Sequence, residues 1–269
     1  MIRYALLVLI VSFLSLLTAC ASRPPALKID TSLSAKGQDS RAMFLVIHYT
    51  ATDLKESIRL LTEQEVSAHY LVTDQKPVRI YQLVDESRRA WHAGVSYWRG
   101  HANLNAASIG IEIVHPGFVD LPQGRTWLPY APEQIDAVVA LVQAIVRRHD
   151  IRADRVLGHS DVAPQRKHDP GPLFPWPRLA DLGLVAWPDA ARVAAQRPLF
   201  EQALPDVVWW QKSLSTHGFE VPQNGEFDEA TRRVLAAFQM KFRPANFDGL
   251  PDAETAALLH VLITPVVPR

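Results

Sequence analysis

The chain has 269 residues, with 28 Lys plus Arg balanced by 28 Asp plus Glu, and its length gives room for one large domain and a smaller one. A formal net charge of zero gives nucleic acid no electrostatic reason to bind. The single cysteine, Cys20, excludes both an intrachain disulfide framework and a thiolate-rich zinc site, so any metal would need His and carboxylate ligands.

At the start, "MIRYALLVLIVSFLSLLTAC" places Arg3 before an apolar run from Ala5 to Leu17 that ends in small residues. The run is shorter than the ~20 residues of a spanning helix. Residues 1–19 therefore read as a signal peptide. Leu17-Thr18-Ala19-Cys20 resembles the bacterial lipobox, which implies a lipidated Cys20 and a membrane anchor without a spanning helix. Ala21, rather than an aspartate, follows the cysteine, and in the lipoprotein pattern this points to the outer membrane, facing the periplasm. Residues 20–40 are polar, Pro- and Ser-containing and without periodicity, as expected of a tether.

Strand patterns follow at Met43–Thr50, His69–Thr73, Val78–Val84 and Ser108–Val114, where β-branched and aromatic residues cluster. Helices are expected over Asp53–Thr62 and Pro132–His149. In the second, Ile135, Val138, Val139, Val142, Ile145 and Val146 recur at three- and four-residue spacing, and Pro132 sits where its missing N–H costs least. Residues 41–185 thus form an α/β domain with a mixed central sheet flanked by helices. Residues 186–200 read as a Pro- and Ala-rich connector. Beyond it, "GEFDEATRRVL" from Gly225 and "GLPDAETAALL" from Gly249 repeat Gly, Asp, Thr and Leu at the same spacing. Each Asp suits a helix N-cap, so residues 201–265 read as a small all-α domain with duplicated structure, opened by the helix "VVWWQKSLSTHGF".

The titratable chemistry collects in the loop "GHSDVAPQRKHDPGP", Gly158–Pro172. Alone, a strand-end histidine such as His48 is a common structural residue. Combined with Glu112 on another strand and with His159, Lys167 and Asp169 in the loop, it becomes part of a three-ligand set that leaves zinc an open position for water. Zinc lowers the pKa of such a water to ~7. Glu112 can take a proton from it and pass one to a leaving amine, and Lys167 can stabilise an oxyanion. Alternation puts Glu112 and His115 on opposite faces of their strand. Composition leaves Asp161, His168 and Asp169 competing for the third ligand position. Neighbours in an extended loop point opposite ways, which pairs Lys167 with Asp169 and turns His168 outward.

In order along the chain, "VIHYT", "SAHYLV", "RAWHAG", "NAASIGIE" and "GHSDVAPQRKHDPGP" closely resemble the zinc-dependent N-acetylmuramoyl-L-alanine amidases, in particular their cell-wall-recycling and outer-membrane lipoprotein branch. The resemblance covers about Arg41 to Leu184. It implies one zinc per chain on His48, His159 and Asp169, with Glu112 and Lys167 as catalytic partners. It also implies peptidoglycan or muropeptides as substrate, and it implies nothing about a protein partner. Trp91, His92 and Asn105 are expected along the substrate groove, although Trp91 reads equally well as core, and His69 and Asp161 as supports of the site. Ala68 stands where other branches carry a tyrosine, which leaves proton transfer to Glu112. Residues from about Glu201 to Ile263 resemble a peptidoglycan-binding domain, expected to add localisation rather than chemistry. Two rival readings are a silent wall receptor, which would need a broken ligand set, and a zinc peptidase cutting within the stem peptide.

Overall fold

The computed structural model describes residues 27–264; the expected signal peptide and Cys20 lie outside the described residues. Residues 27–38 carry no helix or strand and are exposed. From Asp39 the order is β1 (Phe44–Tyr49), α1 (Leu54–Glu63), β2 (Tyr70–Val72), β3 (Ile80–Gln82), a hairpin of β4 (Tyr97–Trp98) and β5 (His101–Ala102), and β6 (Ser108–Ile113). A second hairpin, β7 (Phe118–Leu121) and β8 (Gly124–Trp127), precedes α2 (Pro132–His149) and β9 (Val156–Gly158). Helices α3 (His159–Val162), α4 (Trp176–Ala180), α5 (Ala190–Gln202), α6 (Val207–His217), α7 (Glu229–Phe242) and α8 (Ala253–Ile263) complete the chain. No helix among the described residues is long and apolar enough to cross a membrane.

Five strands form one sheet in the order β3-β2-β6-β1-β9, with β3 antiparallel to β2 and the other pairings parallel. Side chains alternate across it. Leu45, Ile47, Ile109, Ile111, Ile113, Tyr70, Val72 and Val156 face one side, where α2 lays Ile135, Val138, Val139, Val142 and Ile145 against them. The apolar face of α2 read from spacing is therefore the face it buries. Truncating one of these fully buried aliphatics, such as Ile111→Ala, would cost about 2–5 kcal/mol.

The other side of the same strands carries Phe44, Val46 and Leu157, and the helical C-terminal region covers them. Trp210, Leu214, Phe219, Val234, Leu235, Phe238 and Phe242 share one continuous core with those three strand residues. The helical region expected as a small second domain thus packs directly on the sheet, and from Asp39 onward the chain is a single compact unit. The expected connector requires correction, because residues 190–202 are helix α5, begun by Asp189 as N-cap, and Val193 and Phe200 pack on that shared core. Ala-rich composition and the lack of an apolar stripe hid the helix, since its burial is supplied by the tertiary partner rather than by large apolar residues of its own.

The duplicated motif is real in three dimensions. Asp228 and Asp252 cap α7 and α8 by accepting from Thr231 N (2.7 Å) and Thr255 N (2.9 Å). In each copy a buried glutamine from the preceding helix closes the turn: Gln211 Oε1 accepts from Gly225 N at 2.9 Å, and Gln239 Oε1 accepts from Gly249 N at 2.8 Å.

Deleting residues from Glu201 onward should bare Phe44, Val46 and Leu157 to solvent and abolish cooperative unfolding of the remaining sheet domain. Urea denaturation followed by tryptophan fluorescence checks this. A soluble truncated chain that unfolds cooperatively at the parent's midpoint would contradict the shared core.

Candidate metal centre and catalytic pocket

The apolar face beneath the C-terminal helices gives way to polar chemistry at the C-terminal ends of the strands. On β1, Phe44 and Val46 are followed on the same face by His48, and parallel register places Glu112 of β6 beside it. His159 enters directly after β9, as the first residue of α3, and Asp169 comes from the loop beyond. His48 Nδ1 lies 2.9 Å from His159 Nδ1, and both nitrogens lie 3.0 Å from Asp169 Oδ2. All three side chains are buried. Among the described residues they form the one His/Asp/Glu/Cys group whose ligand atoms converge this closely.

Hydrogen bonding around the trio decides which atoms carry protons. The Ser108 hydroxyl donates to Leu104 O (2.7 Å), so it accepts from His92 Nε2 at 3.1 Å. His92 Nδ1 is then an acceptor for His48 Nε2–H at 3.0 Å, which leaves His48 Nδ1 as a lone pair. Likewise His159 Nε2 donates to Ala93 O at 3.1 Å, leaving its Nδ1 a lone pair. Two lone pairs and a carboxylate oxygen therefore meet in a buried space. A shared proton can satisfy part of that set; a cation satisfies all of it. Burial alone would raise the Asp169 carboxyl, but the adjoining His159 and His48 imidazoles hold it well below the usual carboxylate range. Burial, and then His159, push the His48 imidazole down to about 4, so it is neutral at ordinary pH.

A cavity of about 330 Å³ opens beside the trio, lined by Tyr49, Trp91, Glu112, Lys167 and His168 among others. Glu112 Oε2 is buried without a hydrogen-bond partner. Burial, reinforced by the Asp169 charge, pushes its carboxyl up to about 8, while the nearby Lys167 ammonium works in the opposite direction. A buried, unpartnered carboxyl facing a pocket is suited to receiving and returning a proton. Lys167 is half-buried on the rim of the same pocket, two residues from Asp169.

Of the three loop candidates, one lies against the two histidines. Asp169 joins the two histidines, His168 is exposed and 6.4 Å from the Trp127 ring, and Asp161 turns away to accept from Gly158 N at 2.8 Å. Trp91 is 49% exposed on the pocket wall rather than in the core. His92 lines the pocket as expected, and both it and Asn105 also hold the site together. Both ring nitrogens of His92 are engaged in holding His48. The Asn105 amide oxygen accepts from His92 N and Ala93 N, at 3.1 and 2.7 Å, so it fixes the backbone that fixes the histidines. His69 supports the site at one remove, accepting from Gly110 N at 3.0 Å. His115 lies away from Glu112, stacked on Tyr130 at 4.0 Å.

A family model described as N-acetylmuramoyl-L-alanine amidase matches residues 38–172, and a peptidoglycan binding domain model matches residues 204–259. The N-acetylmuramoyl-L-alanine amidase AmiD of Escherichia coli (strain K12) is 42% identical over 248 residues, spanning 88% of this chain and 87% of AmiD. The chain belongs to the N-acetylmuramoyl-L-alanine amidase family. Among solved structures, AmpDh3 from Pseudomonas aeruginosa matches with a TM-score of 0.82 at 40% identity, over 88% of this chain and 97% of that one. AmiD from E. coli, in complex with the substrate anhydro-N-acetylmuramic acid-L-Ala-D-gamma-Glu-L-Lys, matches with a TM-score of 0.80 at 40% identity, over 90% and 96%. The amidase class expected from the five motifs and the mixed α/β fold expected from the strand and helix patterns are both borne out.

Some residues of this amidase's site were not singled out from sequence. Ser108 anchors the His92 relay, and Arg166 donates to Ala93 O and to Val95 O (2.7 Å), securing the carbonyl that orients His159. Gly110 carried a readable signal, because a glycine inside a strand marks a close approach. A Cβ there would lie 2.4–2.7 Å from the His92 ring, so the relay needs that glycine.

In the metal-free amidase, the raised pKa of Glu112 makes folding favour its protonated form. That contribution is present below the unfolded value of 4.5 and is lost as pH rises through about 8. Glu112→Gln should therefore gain stability over the parent as pH rises from 5 to 8. Thermal midpoints in chelator across that range check the sign, and a difference that does not change with pH would contradict it.

Proposed function

We propose that this amidase hydrolyses the amide between the lactyl group of N-acetylmuramic acid and the L-alanine of the stem peptide, using one zinc ion held by His48 Nδ1, His159 Nδ1 and Asp169 Oδ2. The observation that carries the reading is the convergence of two imidazole lone pairs and a carboxylate oxygen within 3.0 Å of one another. The donor set fits: neutral imidazole and carboxylate are ordinary zinc ligands, three protein ligands leave a position open, and a tetrahedral site with bonds of ~2.0–2.1 Å separates its ligand atoms by about 3.3 Å. When bound, zinc would polarise the scissile carbonyl and make a water acidic enough to attack at neutral pH.

Glu112 takes the proton from the attacking water and delivers it to the departing amine nitrogen, so that a lactyl carboxylate and a free stem peptide leave. The lack of any other partner for Oε2 keeps that carboxyl free for the task. Lys167 lies where its ammonium can stabilise the negative charge that develops on the carbonyl oxygen. Trp91 offers an apolar face on the pocket wall for sugar or peptide. The substrate complex of AmiD supports a muropeptide as ligand, and the matched peptidoglycan binding domain supports wall material. The complete ligand set speaks against a silent receptor.

Asp169→Ala should lose zinc and activity together, whereas His168→Ala should retain stoichiometric zinc. Glu112→Gln should keep the metal and lose on the order of 10²- to 10⁴-fold in rate. Atomic absorption on the purified variants, with mass spectrometry of digested muropeptides, decides these points. Zinc retained in Asp169→Ala but missing in His168→Ala would overturn the ligand assignment, and cleaved stem peptides would favour a peptidase.

The lipobox-like Leu17-Thr18-Ala19-Cys20 supports an outer-membrane lipoprotein held by acyl chains on Cys20, with the enzyme facing the periplasm. Cys20→Ser should abolish incorporation of a labelled fatty acid. Label persisting in that variant would refute the anchor.

A further inference from the structure

A lysine from the helical C-terminal region reaches the loop that carries a metal ligand. Lys241, near the end of α7, is buried, and its Nζ lies 2.7 Å from Asp161 Oδ2, with side-chain exposures of 6% and 2%. The same ammonium donates to Val156 O at 3.3 Å and sits 4.1 Å above the Trp176 ring. Asp161 Oδ2 also accepts from Gly158 N at 2.8 Å. Val156 and Gly158 are the two ends of β9, and the next residue is His159. One cation, 80 residues beyond Asp161 and 85 beyond Val156, therefore ties both ends of the strand and the first turn of α3 to α7.

The geometry limits what this lysine does. Lys241 does not line the catalytic pocket, so it touches neither substrate nor the reacting atoms. It acts through Asp161, whose carboxylate holds the backbone N–H immediately before His159. Nor is the pair an exposed decoration, because both partners are buried and oppositely charged, so removing either one strands the other. On the far side of the site, His159 is aimed by Ala93 O. The ring is thus aimed from one end by the Ala93 carbonyl, while its backbone is held from the other by Asp161 and Lys241.

We propose, on the basis of the zinc reading of His48, His159 and Asp169, that Lys241 is a positioning residue for His159, so that the helical domain completes the metal site of the sheet domain. Partners that hold a ligand in place typically change metal affinity or activity by ~10–100-fold when removed. The effect should fall on zinc affinity and kcat, with KM for a small soluble substrate nearly unchanged.

Three full-length variants test this: Asp161→Asn, Lys241→Met, and the double variant, which removes both charges while keeping their volume. Each is checked for native circular dichroism and cooperative melting, then titrated with zinc against a chromophoric chelator and assayed on an anhydromuropeptide. Stoichiometric zinc on the parent tests the underlying site separately; if the parent binds none, the zinc reading itself fails. With the parent loaded, the folded variants should bind zinc 10- to 100-fold more weakly, show a reduced kcat, and keep KM within about twofold. Folded variants that bind zinc within twofold of the parent would overturn the positioning role. Loss of the native fold in all three would overturn it as well, because the pair would then be a requirement of the fold rather than of the site.

Discussion

Lone pairs repel, and the site described here gathers two of them with a carboxylate oxygen inside a 3.0 Å triangle of buried side chains at the wall of a pocket. Such an arrangement is stable only with positive charge at its centre, whether a proton in part or a metal in full. Much of the surrounding structure enforces it. The chain of donors from Ser108 through His92 fixes one imidazole, and the Ala93 carbonyl fixes the other. Gly110 gives His92 the space to lie against the strand. Metal sites depend on such outer partners for ligand orientation and basicity, and here they come from two stretches, at 92–93 and 108–110, that are distant in sequence from all three members of the trio.

The same sheet face serves two purposes along its length. Toward the starts of the strands Phe44, Val46 and Leu157 are apolar and covered by the C-terminal helices, while toward their ends it holds His48 and Glu112. Period-two alternation makes this possible, because every second residue of β1 returns to that face. A consequence is that the helical region matching a peptidoglycan binding domain is also the lid on half of the amidase core. Binding to wall material and stability of the catalytic sheet are thereby joined in one packing unit.

Strong local periodicity made several elements legible. Pro132–His149 is a helix over the residues expected, β1 and β6 fall within their apolar runs, and the repeated Asp residues cap α7 and α8. The convergence of His48, His159 and Asp169 was legible because the loop offered few alternatives and the family motifs fell in register. Less visible was everything that depends on partners distant in sequence. Strand β9 is three residues long and is held by pairing with β1, and α5 has no wide apolar stripe of its own. His92 and Asn105 were read as groove residues because residue type suits sugar and peptide contacts; their bonds to His48, Ser108 and the backbone, which hold the site together, depend on partners that sequence does not show. Lys241 gave no signal at all, since a lysine on a helix is ordinarily solvated.

The central claim is that His48, His159 and Asp169 hold a metal ion through the three atoms that converge. Anomalous X-ray diffraction on crystals of the zinc-loaded protein, recorded above and below the zinc edge, tests it most directly. The account predicts one edge-dependent peak per chain, within bonding distance of His48 Nδ1, His159 Nδ1 and Asp169 Oδ2. A peak bound instead by His168, or none in this pocket, would contradict it.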